Sequence, residues 1–94
     1  MAQAAIVIGV GASAGLGAAL CRRFAREGLH VFAAARGTER LATLTREIAA
    51  SGGRATAVRC DTTQSAEVAA LFEAAEREAG APPALVVYNA GNGA

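Results

Sequence analysis

Ninety-four residues fit at most one small domain, since typical domains have about 100–150 residues. Hydrophobic residues make up 53% of the chain and charged residues 18%, which excludes intrinsic disorder and requires a buried core. The net charge is only +1, and its arginines are mixed with acidic residues, so the chain lacks the clustered basic surface that binds nucleic acid or anionic membranes. It contains no lysine, which excludes a P-loop and any catalytic lysine within these residues.

The cysteines and the single histidine do not form a metal-binding pattern. Cys21 and Cys60 have no Cys-x-x-Cys spacing, and together with His30 they are too few for a structural zinc site, which takes about four ligands. Unpaired thiols are typical of a reducing cytoplasm. We therefore expect a cytoplasmic protein, no metal, and both cysteines in the core.

The stretch from Ala4 to Cys21 carries no charged residue, which leaves a membrane-inserted or exported segment as one alternative. A signal peptide would require a basic residue before this stretch, and none precedes it. The stretch also contains Ser13 and four glycines, which weaken a membrane helix: Gly9, Gly11, Gly15 and Gly17. We predict a protein without membrane association.

Short apolar runs alternate with longer amphipathic ones along the chain. A continuous apolar run predicts a first strand over residues 5–10, covered on both faces. Leucine and phenylalanine recur every four residues in a first helix that starts after the glycines and stops at Gly28. Residues 31–35 predict a second buried strand.

The same alternation continues in the second half. A second helix is predicted from near Thr38, with Leu41, Leu44 and Ile48 as its apolar stripe, ending at residues 51–53. A weaker strand covers residues 55–60, a third helix has apolar positions at 68, 71, 72, 75 and 79, and the fourth strand covers residues 85–88. The order βαβαβαβ predicts an α/β fold: a Rossmann-like parallel sheet, part of a doubly wound fold, with strand order 3-2-1-4.

Glycines lie between the first strand and the first helix, where a dinucleotide's pyrophosphate would bind. Gly11, Gly15 and Gly17 permit the turn, let the backbone approach phosphate and allow close helix–strand packing. The free N–H groups of the following helix favour an anion. A second register, with Gly9, Gly11 and Ala14 as the fingerprint, predicts the same ligand.

The end of the second strand predicts which dinucleotide binds. An NAD-binding protein would place Asp or Glu there for the ribose 2′-hydroxyl, but this chain has Ala35, Arg36 and Gly37. The Arg36 guanidinium suits a 2′-phosphate, and Arg40 could assist, although Glu39 lies beside it. We therefore predict NADP rather than NAD. The alternative is that Arg36 is an ordinary solvated loop charge.

Two further polar segments follow strands of the predicted sheet. The Asp61 carboxylate could accept a hydrogen bond from the amine of adenine, or could help to cap the next helix. Thr62 would offer its backbone N–H. Asn89, Ala90 and Gly91 follow the fourth strand at the carboxyl edge, where ligands of such sheets bind.

With these motifs the chain resembles, over all 94 residues, the amino-terminal part of the short-chain dehydrogenase/reductase family. Residues 10–17, Val-Gly-Ala-Ser-Ala-Gly-Leu-Gly, are similar to that family's Thr-Gly-x-x-x-Gly-x-Gly, and residues 88–91, Tyr-Asn-Ala-Gly, to its Asn-Asn-Ala-Gly. The resemblance implies that Asp61 binds adenine. It also implies cofactor contacts along two segments: Gly11, Ser13, Gly15, Leu16 and Gly17 at the phosphates and adenosine ribose, and Asn89, Ala90 and Gly91 further along.

The resemblance implies hydride transfer between NADP and a carbonyl or alcohol substrate, in a protein that is a homo-oligomer when complete. The family's catalytic Ser and Tyr-x-x-x-Lys would lie beyond residue 94, so we expect these 94 residues alone to be inactive, with no catalytic residue among them. Val10 and Tyr88 depart from the family's Thr and first Asn. The alternative function is a non-catalytic nucleotide-binding module, completed by a partner or by dimerisation.

Overall fold

The computed structural model describes residues 3–10, 15–37 and 39–88. Strands and helices alternate strictly along the chain. The elements are β1 (Ala4–Ile8), α1 (Leu16–Arg26), β2 (His30–Ala35), α2 (Glu39–Ala50), β3 (Arg54–Arg59), α3 (Ser65–Ala79) and β4 (Leu85–Tyr88).

All four strands are parallel and lie in the order β3-β2-β1-β4, which confirms the predicted topology. One row of paired residues fixes the register: Ile8 pairs with Ala34 on one side and with Tyr88 on the other, and Ala34 pairs with Val58. Because paired residues of parallel strands point to the same face, these four side chains share one face of the sheet.

The two faces of the sheet are covered by different helices. Alternating residues of β1 show the division, since Val7 packs against α1 and α2 whereas Ile6 and Ile8 pack against α3. Leu41, Leu44 and Ile48 fill the first face, as their spacing predicted. Many of the remaining helix contacts are alanines, which bring the helices close to the sheet.

The first strand is shorter than predicted: it ends at Ile8 instead of Val10. Gly9 has φ of 90°, in the left-handed region that glycine tolerates. The N–H groups of both Gly9 and Val10 donate to the Ala34 carbonyl, at 2.9 and 3.1 Å. Two residues thus oppose one on β2, and the strand turns out of the sheet at this point.

Smaller differences concern β3 and α2. The third strand covers Arg54–Arg59, one residue earlier than predicted, and Cys60 follows it with its N–H bonded to the Ala35 carbonyl at 2.8 Å. The start predicted for α2, Thr38, lies outside the described residues; the helix is described from Glu39.

Both cysteines occupy core positions, as predicted. Cys21 packs on the α1–α2 face and Cys60 on the α3 face, each almost fully buried and not in a disulfide. Burial raises the pKa of the Cys21 thiol to about 12, so this group stays protonated at neutral pH.

The uncharged stretch from Ala4 to Cys21 is divided between β1 and α1. Within residues 3–10, 15–37 and 39–88, no helix has both the length and the apolar character needed to cross a membrane.

Candidate functional site

Several residues that the sequence analysis singled out lie at the carboxyl ends of the strands, within the part of the chain that the structure describes. Gly9 follows β1, Arg36 follows β2, Asp61 lies just beyond β3, and β4 ends at Tyr88. Parallel strands bring their carboxyl ends to one edge of a sheet, and ligands of open α/β sheets bind outside that edge. Of the predicted residues that the structure describes, Arg36 and Asp61 therefore lie at one edge.

The amino terminus of α1 opens onto the same edge. Gly15 is the N-cap residue, in an extended conformation, and no acidic residue lies in the first turn of the helix. The unpaired N–H groups and the partial positive charge of this end are therefore not neutralised by a neighbouring carboxylate. Leu16 is exposed and Gly17 is buried. The two other residues predicted in this segment, Gly11 and Ser13, lie outside the described residues.

Arg36 is exposed directly after β2. It lies close enough to Asp61 for its charge to contribute to a lowered pKa of that carboxyl. Arg40 is also exposed, in the first turn of α2 beside Glu39. The carboxyl edge thus carries an exposed guanidinium where an NAD-binding protein would carry a carboxylate.

Asp61 organises the turn between β3 and α3. Its Oδ1 accepts hydrogen bonds from the backbone N–H of Thr63 at 3.0 Å and from the Thr63 hydroxyl at 2.7 Å. Its backbone N–H donates to Glu67 Oε1 at 2.8 Å, and its carbonyl accepts from Gln64 N–H at 2.9 Å. Gln64 is the N-cap residue of α3, so the Asp61 carboxylate holds the preceding turn and does not cap the helix directly.

The pKa of Asp61 is lowered from its ordinary value. The hydrogen bond from the Thr63 hydroxyl is the largest cause, followed by the Thr63 backbone bond, and the charges of Arg36 and Arg59 act in the same direction. The carboxylate is therefore ionised at neutral pH. Within the described residues its Oδ2 accepts no hydrogen bond, so this oxygen is open to a donor from solvent or a ligand.

Thr62 contacts the strand at the far edge of the sheet. The Tyr88 hydroxyl lies 3.3 Å from Thr62 Oγ1 and donates a hydrogen bond to it. The contact is possible because α3 packs mainly over β1, which makes the β3–α3 turn cross the end of the sheet towards β4. Asn89, Ala90 and Gly91, which follow Tyr88 in the chain, lie outside the described residues.

Three contacts at this edge were not predicted from the sequence. Glu67 holds the Asp61 N–H, Thr63 holds its carboxylate, and Tyr88 contacts Thr62. Glu67 lies three residues after the N-cap Gln64, a spacing typical of side chains that accept hydrogen bonds from backbone N–H groups near a helix start. This spacing could have indicated the contact between Glu67 and the Asp61 N–H. The Tyr88 contact joins the two edge strands, so no local spacing signals it.

A cleft lies at the opposite end of the fold. It has a volume of about 720 Å³ and is formed where α1 and α2 end, between Arg22, Glu47 and Gly53. Helix carboxyl ends present carbonyl oxygens and a partial negative charge, which disfavour a phosphate. The carboxyl edge of the sheet is therefore the better candidate for a nucleotide site. No group of histidine, cysteine or acidic residues suited to a metal ion occurs among the described residues.

Comparisons with known proteins agree with this architecture. The family model for short chain dehydrogenase matches residues 4–94. The 3beta-hydroxysteroid dehydrogenase 1 of Eggerthella lenta is 47% identical over 70 residues, which cover 73% of this chain and 27% of that protein.

Solved structures give the same result. A hydroxysteroid dehydrogenase from Escherichia coli matches with a TM-score of 0.87 and 34% identity, over 98% of this chain and 38% of the other. A variant of actinorhodin polyketide ketoreductase, crystallised with NADPH, matches with a TM-score of 0.79 and 36% identity, over 97% of this chain and 35% of the other.

The chain spans 27%, 38% and 35% of the length of these three relatives, in the order given. The family match, however, extends over almost every residue of the chain, from the first strand to the segment after the fourth. Both the strand order and the relatives therefore lead to one conclusion: the chain belongs to the short-chain dehydrogenase family of oxidoreductases.

Proposed function

We propose that this chain is the NADP(H)-binding part of an oxidoreductase that transfers hydride between NADP and a carbonyl or alcohol substrate. The observation that carries the preference for NADP is the exposed Arg36 guanidinium directly after β2, in a segment, residues 35–37, that contains no carboxylate. The NADPH complex of the related ketoreductase supports a cofactor of this class.

The donors and acceptors along the carboxyl edge fit such a cofactor. The α1 amino terminus supplies unneutralised N–H groups for the pyrophosphate, and Asp61 Oδ2 is an open acceptor for the amine of adenine. We assign the phosphates and adenosine ribose to Gly11, Ser13, Gly15, Leu16 and Gly17, the adenine to Asp61 and Thr62, and the remaining length of the cofactor to Asn89, Ala90 and Gly91.

When bound, the cofactor would donate hydride as NADPH or accept it as NADP⁺. The residues of this chain bind and orient it. The family's proton transfer uses a Ser and a Tyr-x-x-x-Lys, and the 94 residues contain no lysine. We therefore propose that the catalytic part of the domain is supplied by chain beyond these residues and that residues 1–94 alone are inactive. The protein is further proposed to be cytoplasmic and homo-oligomeric.

The preference for NADP is tested by calorimetric titration of wild-type protein and Arg36→Ala with NADPH and NADH. Because Arg36 would form a hydrogen-bonded ion pair with the 2′-phosphate, we expect Arg36→Ala to lose about 1.5–3 kcal/mol of binding free energy for NADPH and none for NADH. Arg77→Ala, an exposed arginine in the last turn of α3, is the matched control and leaves both affinities unchanged. Equal losses for the two cofactors in Arg36→Ala would exclude the 2′-phosphate role.

The extent of the protein is tested by the intact mass of the product of its natural gene. A mass more than twice that of these 94 residues, with Tyr-x-x-x-Lys further along and turnover of carbonyl compounds with NADPH, supports an enzyme. A product of only these residues would contradict a catalytic part in the same chain and favour the non-catalytic module.

A further inference from the structure

Tyr88 connects the two edge strands across the candidate nucleotide site. It is the last residue of β4, 62% exposed, and its ring lies on the face of the sheet that α3 covers, since its strand partner Ile8 packs there. Its hydroxyl donates to Thr62 Oγ1 at 3.3 Å, in the turn that follows β3. The contact depends on the Tyr88 hydroxyl, which phenylalanine at this position would lack.

The turn itself leaves one backbone donor open. Asp61 N–H bonds Glu67, Thr63 N–H bonds the Asp61 carboxylate, and Gln64 N–H bonds the Asp61 carbonyl. Thr62 N–H has no acceptor within the part of the chain that the structure describes. This donor lies next to the residue whose Oδ2 is also open, so Asp61 and Thr62 together present an acceptor and a donor side by side.

An adenine base matches this pair, because its amine donates and the adjacent ring nitrogen accepts. The Asp61 half of the pair is fixed by two hydrogen bonds from Thr63. Among residues 3–10, 15–37 and 39–88, the side chain of Thr62 is hydrogen-bonded by Tyr88 alone, from across the sheet. The Thr62 N–H shares a peptide plane with the Asp61 carbonyl, which the Gln64 N–H holds, so the Tyr88 contact acts on the turn as a whole by tying it to the end of β4.

We propose that Tyr88 is a positioning residue for adenine recognition, which ties the turn that carries the open Thr62 N–H to the end of β4. The proposal rests on the proposed function, since it assumes that the nucleotide binds at the carboxyl edge. Tyr88 does not contact the reacting atoms. It couples the end of β4 to the base-binding turn.

The test uses the full-length protein and four forms of it: wild type, Tyr88→Phe, Thr62→Val and the double variant. Each is titrated with NADPH and with the reduced hypoxanthine analogue, whose base presents a ring N–H and a carbonyl in place of the adenine acceptor and amine. Losing one neutral hydrogen bond is expected to weaken NADPH binding about threefold to tenfold in each single variant. The double variant is expected to lose no more, because both changes remove the same contact.

The hypoxanthine analogue separates positioning from a general structural role. It is expected to bind wild type more weakly than NADPH and to bind all four forms alike, because it cannot use the pair that Tyr88 positions. Thr43→Val, an exposed threonine on α2, is the matched control for loss of a hydroxyl and leaves both affinities unchanged. Thermal melting checks that the variants are folded.

Three results would overturn the proposal. Unchanged NADPH affinity in Tyr88→Phe would show that the hydroxyl is not needed, and equal losses for both ligands would show a general effect on the site. Additive losses in the double variant would show two separate contacts. If wild type binds no dinucleotide at all, the proposed function fails as well, which the wild-type titration alone reveals.

Discussion

The two carboxylate oxygens of Asp61 differ in their partners: one bonds within the turn, and the other lies at the candidate nucleotide site. Oδ1 is occupied by two bonds from Thr63, which also lower the pKa of the group, while Oδ2 lies open at the carboxyl edge. A carboxylate whose folded pKa is lowered contributes stability at neutral pH, and this contribution is lost as the pH falls through the lowered pKa. The same side chain can therefore order the turn and accept a ligand's donor over the neutral range.

Replacing Asp61 with asparagine separates these two tasks. In Asp61→Asn, Oδ1 can still accept from Thr63, but an amide NH₂ takes the place of Oδ2 and would face the amine of adenine donor to donor. We expect the melting temperature to stay near that of wild type and NADPH binding to weaken about tenfold or more. Calorimetric titration and thermal melting measure the two effects.

Thr63→Val is the matched control for Asp61→Asn. It removes the hydroxyl bond to Oδ1 but retains the carboxylate, so we expect a lower melting temperature and a smaller effect on NADPH affinity. If Asp61→Asn binds NADPH as tightly as wild type, Oδ2 does not accept from the cofactor.

At the scale of elements, the ends of α1 and α2 meet the start of β3 at Gly53. A Cβ added there would lie 2.9 Å from Cγ2 of Ile48 and 3.1 Å from Cβ of Ala25. Both neighbours are buried, and the β-branched Ile48 side chain has little freedom to move. The absence of a side chain at this position therefore allows three elements to pack closely.

We expect Gly53→Ala to destabilise the fold by about 1–3 kcal/mol, because it overpacks this junction. Two glycines provide controls in which space is open: Gly37→Ala, with no neighbour within 4 Å, and Gly52→Ala, also open but with φ of 92°. Gly37→Ala should be neutral or slightly stabilising, and Gly52→Ala should cost about 1–2 kcal/mol from backbone strain alone. Urea unfolding of the three variants gives the ranking.

The ranking of the three glycine variants by free energy of unfolding separates overpacking from backbone strain. If Gly53→Ala is as mild as Gly37→Ala, the junction has room to relax and close packing is not what excludes a side chain. If Gly52→Ala costs nothing, its backbone adopts a different conformation in the variant.

The elements themselves follow from the sequence, because their periods come from local geometry. Leu41, Leu44 and Ile48 lie on one face of any helix, and the alternation of strands and helices leaves few topologies. The end of β1 could not be predicted in the same way. Gly9 leaves the strand because two N–H groups share the Ala34 carbonyl, which is a property of the paired strands and not of either segment.

The placement of two candidate site residues follows from the same kind of rule. Arg36 and Asp61 follow predicted strands, so the rule for parallel sheets places them at one edge. The contact between Tyr88 and Thr62 depends on how α3 sits over the sheet, and nothing in the local pattern of either residue contains that information.

At the scale of the whole molecule, β4 is an apolar edge strand. Its outer edge is not paired with a strand among the described residues, and Leu85, Val86 and Tyr88 are 41%, 46% and 62% exposed. Unpaired N–H and C=O groups beside apolar side chains are a template for pairing with another chain. The catalytic part that we propose to follow would cover this surface with further strands and helices.

Residues 1–94 produced alone should therefore self-associate through β4. We expect sedimentation velocity to show species larger than the monomer, and Val86→Lys to shift them towards the monomer, because a charge on an exposed edge strand opposes pairing. Thr43→Lys adds the same charge on the exposed side of α2 and should leave the association unchanged. A wild-type fragment that sediments as one monomer and melts in a sharp cooperative transition would contradict this expectation. If both lysine variants reduce self-association equally, the cause is net charge and not the edge strand, because only Val86→Lys alters the edge.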